Sequence, residues 1–308
     1  MRPAHFDVAP LRCHALLDSG GGEKLERYGN LVLARPEPQA LWRRRLPDAE
    51  WKAADLTFER ESDRGGRWRL GPTARSEARG KEPAWAVDVP PAKLWIRPTP
   101  FKHVGLFPEQ STNWRAVTRL ASTFGGEGPP RLLNLFGYTG AASVLAALAG
   151  YEVTHVDASR LALDGCRQNA ELSGFTGPGL RFVLEDALSF AQRELRRGAK
   201  YHVVLLDPPH YGRGPKGQKW QLEDHIAALV ETAVGLTAER ALVVLSTYAV
   251  GHSPLAFSNL FLNQGGDGLA AGELVLEEEP RQGLVRRTLS QGFCARWWRG
   301  LEARDVLP

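Results

Sequence analysis

The chain has 308 residues, 43% of them hydrophobic and 24% charged, with a net charge of +4 and a pI near 9.0. That is a soluble globular composition, long enough for one large domain or two. It contains no window of 18 apolar residues, so no spanning helix and no membrane partner is expected.

The N-terminus, MRPAHFDVAPLR, has no apolar core of a secretory signal. Cys13, Cys166 and Cys294 are few and widely spaced, which fits a reduced cytoplasmic protein and no metal site. Residues 1–110 carry 19 Lys and Arg against 15 Asp and Glu. The whole basic surplus therefore lies in the first third, including the run Arg43, Arg44, Arg45. A basic surface of this kind attracts nucleic acid or is simply a solvated, charge-balanced face.

Up to about residue 100, short segments alternate with turn signals such as SGGGEK and DRGGRW. Strands are expected at 28–34 (YGNLVLA), 57–60 and 94–97. Trp42, Trp51, Trp68, Trp85 and Trp95 crowd this region, and in a small β-rich module they read as core. Residues 1–100 are thus expected to form a small β-rich N-terminal domain, a candidate RNA-binding module. Residues 101–308 form the second domain. There, strands at 131–136, 152–157, 181–185, 201–207 and 241–247 alternate with helices at 140–149, 161–173, 187–197 and 222–237. A further helix near 254–263 precedes strands at 273–278 and 292–298. Apolar strand cores such as VVLLD and ALVVL predict an α/β fold whose mostly parallel, seven-stranded sheet is covered on both faces. The last two strands have no helix between them and are expected to pair as an antiparallel hairpin.

The stretch LLNLFGYTGAASVLAALAGYEVTHVD, residues 132–157, reads strand, glycine turn, helix, strand. Its turn is not G-x-G-x-x-G. Gly137 and Gly140 allow a close backbone approach, and the helix N-terminus behind them favours an anionic group. Asp157 ends the second strand, where an acid can accept both hydroxyls of a ribose. Asp186 ends the third strand before Ala187; it is placed to bind an adenine amino group and is equally a helix N-cap. Asp207, Pro208 and Pro209 end the fourth strand in DPPHYGRGPKG, at the sheet edge where such folds bind substrates. The prolines stiffen that turn and are expected to leave carbonyls available as acceptors.

Together these residues resemble class I S-adenosylmethionine-dependent methyltransferases with a Rossmann-like domain. With FKHVGLFPEQSTNW (101–114) and LLDSGGGEKLERYGN (16–30), they resemble the bacterial group related to the 23S ribosomal RNA (cytosine-C5) methyltransferases, over about residues 14–300. The resemblance implies S-adenosylmethionine as cofactor, S-adenosylhomocysteine as product, and RNA, ribosomal first, as partner. It implies that Asn134, Phe136, Gly137, Tyr138, Thr139 and Gly140 surround the methionine part. Asp157, Ala158 and Ser159 would hold the ribose, Asp186 and Ala187 the adenine. Phe107 and Gln110 would lie across the cofactor as a lid, with Lys102 and His103 before it facing cofactor or RNA.

The chain departs from the cytosine-C5 pattern. That chemistry uses a Cys thiolate that adds to carbon 6. The candidate loops, DPPHYG and LSTYAVGHSP, carry none. A base nitrogen needs less help: its amine can donate to Asp207 and the Pro208 carbonyl, with Tyr211 or His210 stacking on the base. The related family usually has Lys at His210. Arg213, Lys216 and Lys219 sit in a glycine-rich loop and are expected to meet RNA phosphates. The rival readings are a methyltransferase for a protein or small molecule, a dinucleotide oxidoreductase, and a non-catalytic RNA-binding module with a vestigial pocket.

Overall fold

The structure, a computed structural model, describes residues 5–6, 10–62, 65–80, 82–125, 128–248 and 251–307. The chain divides into two units. One comprises Val8–Ser111 and Val275–Gln291; the other comprises Met1–Asp7, Thr112–Leu274 and Gly292–Pro308. The single cut expected at residue 100 is thus drawn at 111, and the first unit takes back a later segment.

The first strand, β1 (His5–Phe6), belongs to the larger unit. The smaller unit holds a five-stranded sheet of β2 (His14–Gly20), β3 (Glu23–Tyr28), β4 (Leu31–Pro36), then, after α1 (Asp48–Lys52), β5 (Leu56–Ser62) and β6 (Gly65–Leu70). A hairpin of β7 (Trp85–Val89) and β8 (Ala92–Ile96) follows. The segment 28–34, expected as one strand, is broken: Tyr28 pairs with Leu31 across a two-residue turn, and Gly29 takes the required positive φ of 61°. Of the five indoles expected in the core, Trp51 and Trp85 are buried and Trp42, Trp68 and Trp95 are half-buried. Trp51 donates to Asp18, Trp68 to the Thr99 carbonyl and Trp85 to the Tyr28 carbonyl. Several arginines of this unit are paired within it. Arg44 meets Glu23, Arg45 meets Glu278, Arg69 meets Glu59 and Arg75 meets Asp55.

The larger unit begins its main run with α2 (Ser111–Leu120). It continues through β9 (Arg131–Leu135), α3 (Ala141–Leu148), β10 (Glu152–Asp157), α4 (Arg160–Leu172), β11 (Leu180–Leu184), α5 (Ala187–Arg196) and β12 (Tyr201–Leu206). A small hairpin, β13 (Tyr211–Arg213) and β14 (Lys219–Gln221), precedes α6 (Leu222–Gly235) and β15 (Thr237–Thr247). The chain then forms α7 (Pro254–Asn259), β16 (Gly268–Glu277), β17 (Thr288–Arg299) and α8 (Ala303–Val306). The sheet order is β1-β16-β17-β15-β12-β9-β10-β11. Strands β15, β12, β9, β10 and β11 are parallel, and β17 is antiparallel to β15. Eight strands stand where seven were expected, because the two-residue β1 pairs with β16.

Fully buried Leu133, Leu135, Val204, Leu206, Val243 and Leu245 fill the core, which is why these segments read as unbroken apolar runs. The chain leaves β9 toward β10 and β11, then returns to the other side of β9 as β12. The strand order therefore reverses between β9 and β12. Such a reversal opens a crevice at the carboxyl ends of the strands. Among the described residues, no helix is long and apolar enough to cross a membrane, and no group of three metal-ligating side chains could hold an ion.

Candidate active site

The loop after β9 is held in a costly conformation. Phe136 and Tyr138 have φ of 58° and 49°, and Gly140 has 77°. Left-handed non-glycine residues cost about 1–3 kcal/mol each. The loop is fastened from both sides. Gly137 N–H donates to the Val156 carbonyl at 3.1 Å, and Tyr138 N–H donates to Asp157 Oδ2 at 2.9 Å.

Beneath it runs a buried relay that the sequence reading did not single out. Asn134 Nδ2–H donates to Ser143 Oγ at 2.9 Å, and Ser143 lies 2.8 Å from His155 Nδ1. His155 Nε2 faces the Tyr138 carbonyl at 3.2 Å. A carbonyl only accepts, so Nε2 carries the proton and Nδ1 accepts from Ser143. The sequence signal for this relay was a His inside the apolar strand EVTHVD. The glycines serve it too. A Cβ on Gly137 would overlap the His155 ring, and one on Gly140 would overlap Cys166. The close approach they permit is to these two side chains.

Burial pushes His155 down to about 4 from 6.5. The unfolded chain therefore binds this proton at a higher pH than the folded one. Stability from this residue is complete above pH 6.5 and is lost as pH falls toward 4, by about 3 kcal/mol. Other buried groups also titrate, so the comparison is with His155→Gln, which keeps a donor for Tyr138. Between pH 6.5 and 4, denaturant unfolding of the wild type should lose about 3 kcal/mol more than the variant; parallel curves would refute the assignment.

Asp157 stands at the tip of β10 with its carboxylate oriented by the chain. Oδ2 accepts from Tyr138 N–H and Oδ1 from Ser159 N–H at 2.8 Å. Burial raises its pKa, against these backbone donors, with Ala158 N–H among them. Ser159 caps α4 through Ala162 N–H at 3.3 Å. Asp186 caps α5, accepting from Ser189 N–H at 2.9 Å, and Ala187 opens that helix, buried. The tips of β10 and β11 are joined by Glu185 N–H to the Asp157 carbonyl at 3.2 Å.

At the end of β12, Asp207 N–H reaches the Leu135 carbonyl at 3.4 Å, beside the loop just described. The proline carbonyls accept hydrogen bonds, here from the protein itself. Thr247 Oγ1–H donates to Pro208 O at 3.4 Å, and Trp220 Nε1–H donates to Pro209 O at 2.7 Å. His210 is also engaged: its Nε2 lies 2.9 Å from Glu223 Oε1, at the surface. Gln221 and then the neighbouring His252 and His210 hold Glu223 down at about 2.

The segment expected as a glycine-rich loop is the β13–β14 hairpin. Tyr211 pairs with Gln221, Gly212 with Trp220 and Arg213 with Lys219. Cross-strand partners share a face. Tyr211, Arg213 and Lys219 thus project together, with Tyr211 46% exposed and Lys216 exposed at the turn. Trp220 turns to the opposite, buried face.

Lys102, Phe107 and Gln110 belong to the smaller unit. Lys102 has φ of 67°, donates from Nζ to the Pro36 carbonyl at 3.2 Å, and has its pKa lowered by burial. Phe107 packs on His103 at 5.5 Å, and burial pushes His103 down to about 3. Gln110 is buried at the end of a short 3-10 turn, Pro108–Gln110.

Asn134, the 136–140 loop, Asp157, Asp186 and Asp207 thus lie along the carboxyl ends of four adjacent strands, β12-β9-β10-β11. At about 4.8 Å per strand this edge spans about 14 Å. From the β9 loop outward it has an acid held by backbone N–H groups and then a second acid at a helix N-terminus. That donor set fits an extended nucleoside carrying an amino-acid tail.

The comparisons agree. The chain is 38% identical to a solved SAM-dependent methyltransferase from Agrobacterium tumefaciens, with a TM-score of 0.87, covering 97% of this chain and 94% of that one. A SAM-dependent methyltransferase from Streptococcus mutans shares the fold, with a TM-score of 0.64 at 16% identity over 94% and 76% of the two chains. No family model matches. The chain belongs to the S-adenosylmethionine-dependent methyltransferases, and S-adenosylmethionine is its cofactor. Over 108 residues it is 36% identical to the ribosomal RNA large subunit methyltransferase I of Aeromonas salmonicida, which is 35% of this chain and 26% of that protein. The same-named protein of Klebsiella pneumoniae is 40% identical over 82 residues, 26% and 20% of the two chains. The chain thus spans about a quarter of the length of these curated relatives.

Proposed function

We propose that this protein transfers the methyl group of S-adenosylmethionine to a base of RNA, ribosomal RNA first, at a base nitrogen and not at cytosine C5. The observation that carries the reading is the Asp207-Pro208-Pro209 corner beside the 136–140 loop, at the point where the strand order reverses. The names of the large-subunit methyltransferases it resembles support RNA as substrate. In this reading Asp207 accepts from the target amine and aims its lone pair, while Pro208 O, which keeps a second lone pair, accepts the other N–H. Bound cofactor supplies an electrophilic methyl on its sulfonium. The amine nitrogen bonds to that carbon as the carbon–sulfur bond breaks, then loses a proton to water. Tyr211 stacks on the extruded base; His210, paired with Glu223, has a positioning role.

The cysteines support nitrogen as the target. All three are buried, and burial raises each thiol, Cys294 to about 11 despite the nearby Arg296 and Asn113. A thiol so raised is not a thiolate near neutral pH. Three unbridged cysteines also support a cytoplasmic location. In the same proposal the smaller unit is an RNA-binding module.

The test is transfer of labelled methyl to total RNA from a strain lacking the gene, read by nucleoside mass spectrometry. An N-methylated nucleoside is expected; 5-methylcytidine would reject the nitrogen assignment, and unlabelled RNA would reject RNA as substrate. A second expectation concerns the hairpin face. Arg213→Ala and Lys219→Ala should each weaken RNA binding and flatten its log–log salt dependence by about 1. Slopes unchanged in a binding titration would remove the hairpin from the RNA surface.

A further inference from the structure

Trp220 was not among the residues singled out by sequence, yet it touches both halves of the site. It lies on the inward face of β14, 3% exposed. Its ring packs on Phe136 with centroids 4.8 Å apart and planes at 60°, and stacks on His225 at 5.3 Å. Its Nε1–H donates to the Pro209 carbonyl at 2.7 Å. Phe136 is one of the two left-handed non-glycine residues of the cofactor loop. Pro209 belongs to the corner that receives the methyl acceptor in the proposed function.

A strained backbone persists only where its surroundings hold it. Phe136 can keep its φ of 58° because its side chain is seated against an indole that is itself fixed. Trp220 is fixed by the hairpin pairing with Gly212, by the stacked His225, and by the Leu222 N–H bond to the His210 carbonyl at 3.0 Å that closes the hairpin base. The diproline corner has no N–H groups of its own with which to tie itself down. Its carbonyls must therefore be gripped from outside, and the shorter of the two grips is the indole.

We propose that Trp220 is a positioning residue that sets the methyl-donor loop and the acceptor corner at a fixed separation, through two contacts that can be cut apart. The ring holds the loop and so governs cofactor affinity. The indole N–H holds the corner and so governs the transfer step. This rests on the methyltransferase reading of the corner, and transfer needs alignment within a fraction of an ångström.

The test separates the two contacts. Trp220→Phe keeps an aromatic face for Phe136 and removes the N–H. By calorimetry its Kd for S-adenosylmethionine should stay within about twofold of wild type, while kcat for transfer to RNA falls about tenfold or more. Phe136→Leu keeps the N–H bond and removes the ring contact, and should raise that Kd about tenfold. Thermal unfolding of both proteins checks that they are folded. If Trp220→Phe does not fold, the exchange rate of the Trp220 indole proton in wild type, assigned by indole NMR, replaces it. Slow exchange is expected for the bonded N–H, and fast exchange overturns the corner contact. Unchanged kcat in Trp220→Phe, or unchanged Kd in Phe136→Leu, also overturns the proposal. Absence of transfer by wild type would instead sink the RNA reading, while the cofactor affinities and indole exchange would still judge Trp220.

Discussion

Asp207→Ala is expected to lower the rate of methyl transfer about a thousandfold while changing the Kd of S-adenosylmethionine less than about fivefold. A thousandfold is about 4 kcal/mol of activation free energy. Asp207 lies at the tip of β12, and its backbone is tied to the Leu135 carbonyl, so the substitution should leave the corner in place. The prolines, the Thr247 hydroxyl and the Trp220 indole keep holding it. The loss is the carboxylate proposed to orient the acceptor. In the proposed reading, cofactor affinity rests mainly on Asp157, Asp186 and the 136–140 loop, on neighbouring strands. Single-turnover transfer and calorimetry on the same protein check the split. Retained transfer would show that the acceptor is aimed by another group.

Gly140→Ala should be the most damaging small change in the fold, destabilising it by about 2–5 kcal/mol and abolishing measurable cofactor binding at ordinary concentrations. Two costs add. The residue has φ of 77°, where any Cβ is strained. The new Cβ would also fall on Cys166 Sγ and lie 2.8 Å from its Cβ, inside a buried helix–loop contact. Gly150→Ala is the control, because its φ is 97° and nothing lies within 4 Å of its Cβ. It should carry only the backbone cost, about 1–2 kcal/mol. Adding Cys166→Ala to Gly140→Ala removes the sulfur but not the second collision, so part of the loss should return. Denaturant unfolding measures all three. Equal losses at Gly140 and Gly150 would mean that the packing against Cys166 is not what demands glycine.

Much of the methyltransferase domain was legible because its signals are local. VVLLD and ALVVL are apolar on both faces because β12 and β15 are covered on both faces, and no tertiary knowledge is needed to read that. Asp157, Asp186 and Asp207 were legible for the same reason: each follows a readable strand, and parallel strands bring their carboxyl ends to one edge. The break at Gly29 was less visible, since YGNLVLA satisfies a strand pattern on either side of a two-residue turn. The hairpin after the diproline corner was hidden by its glycines, which mimic a loop until Trp220 is seen to pack inward.

Other features could not be read along the chain. His155, Ser143 and Asn134 form one relay only because β9, α3 and β10 are adjacent in space. Gly137 and Gly140 looked like ligand-facing glycines, yet their missing Cβ atoms make room for His155 and Cys166. The partners of the first third's arginines could not be read along the chain either, one of them being as distant as Glu278.

By itself, then, the order of residues determined the α/β class, the strand tips and the acids upon them, because periodicity and strand-end placement are properties of short segments. Only the tertiary structure decided which groups already have partners: the engaged proline carbonyls, His210 held by Glu223, and the indole between loop and corner. Hydrogen bonds and packing join residues by distance in space, and that distance is set by how the strands are ordered in the sheet, not by their separation along the chain.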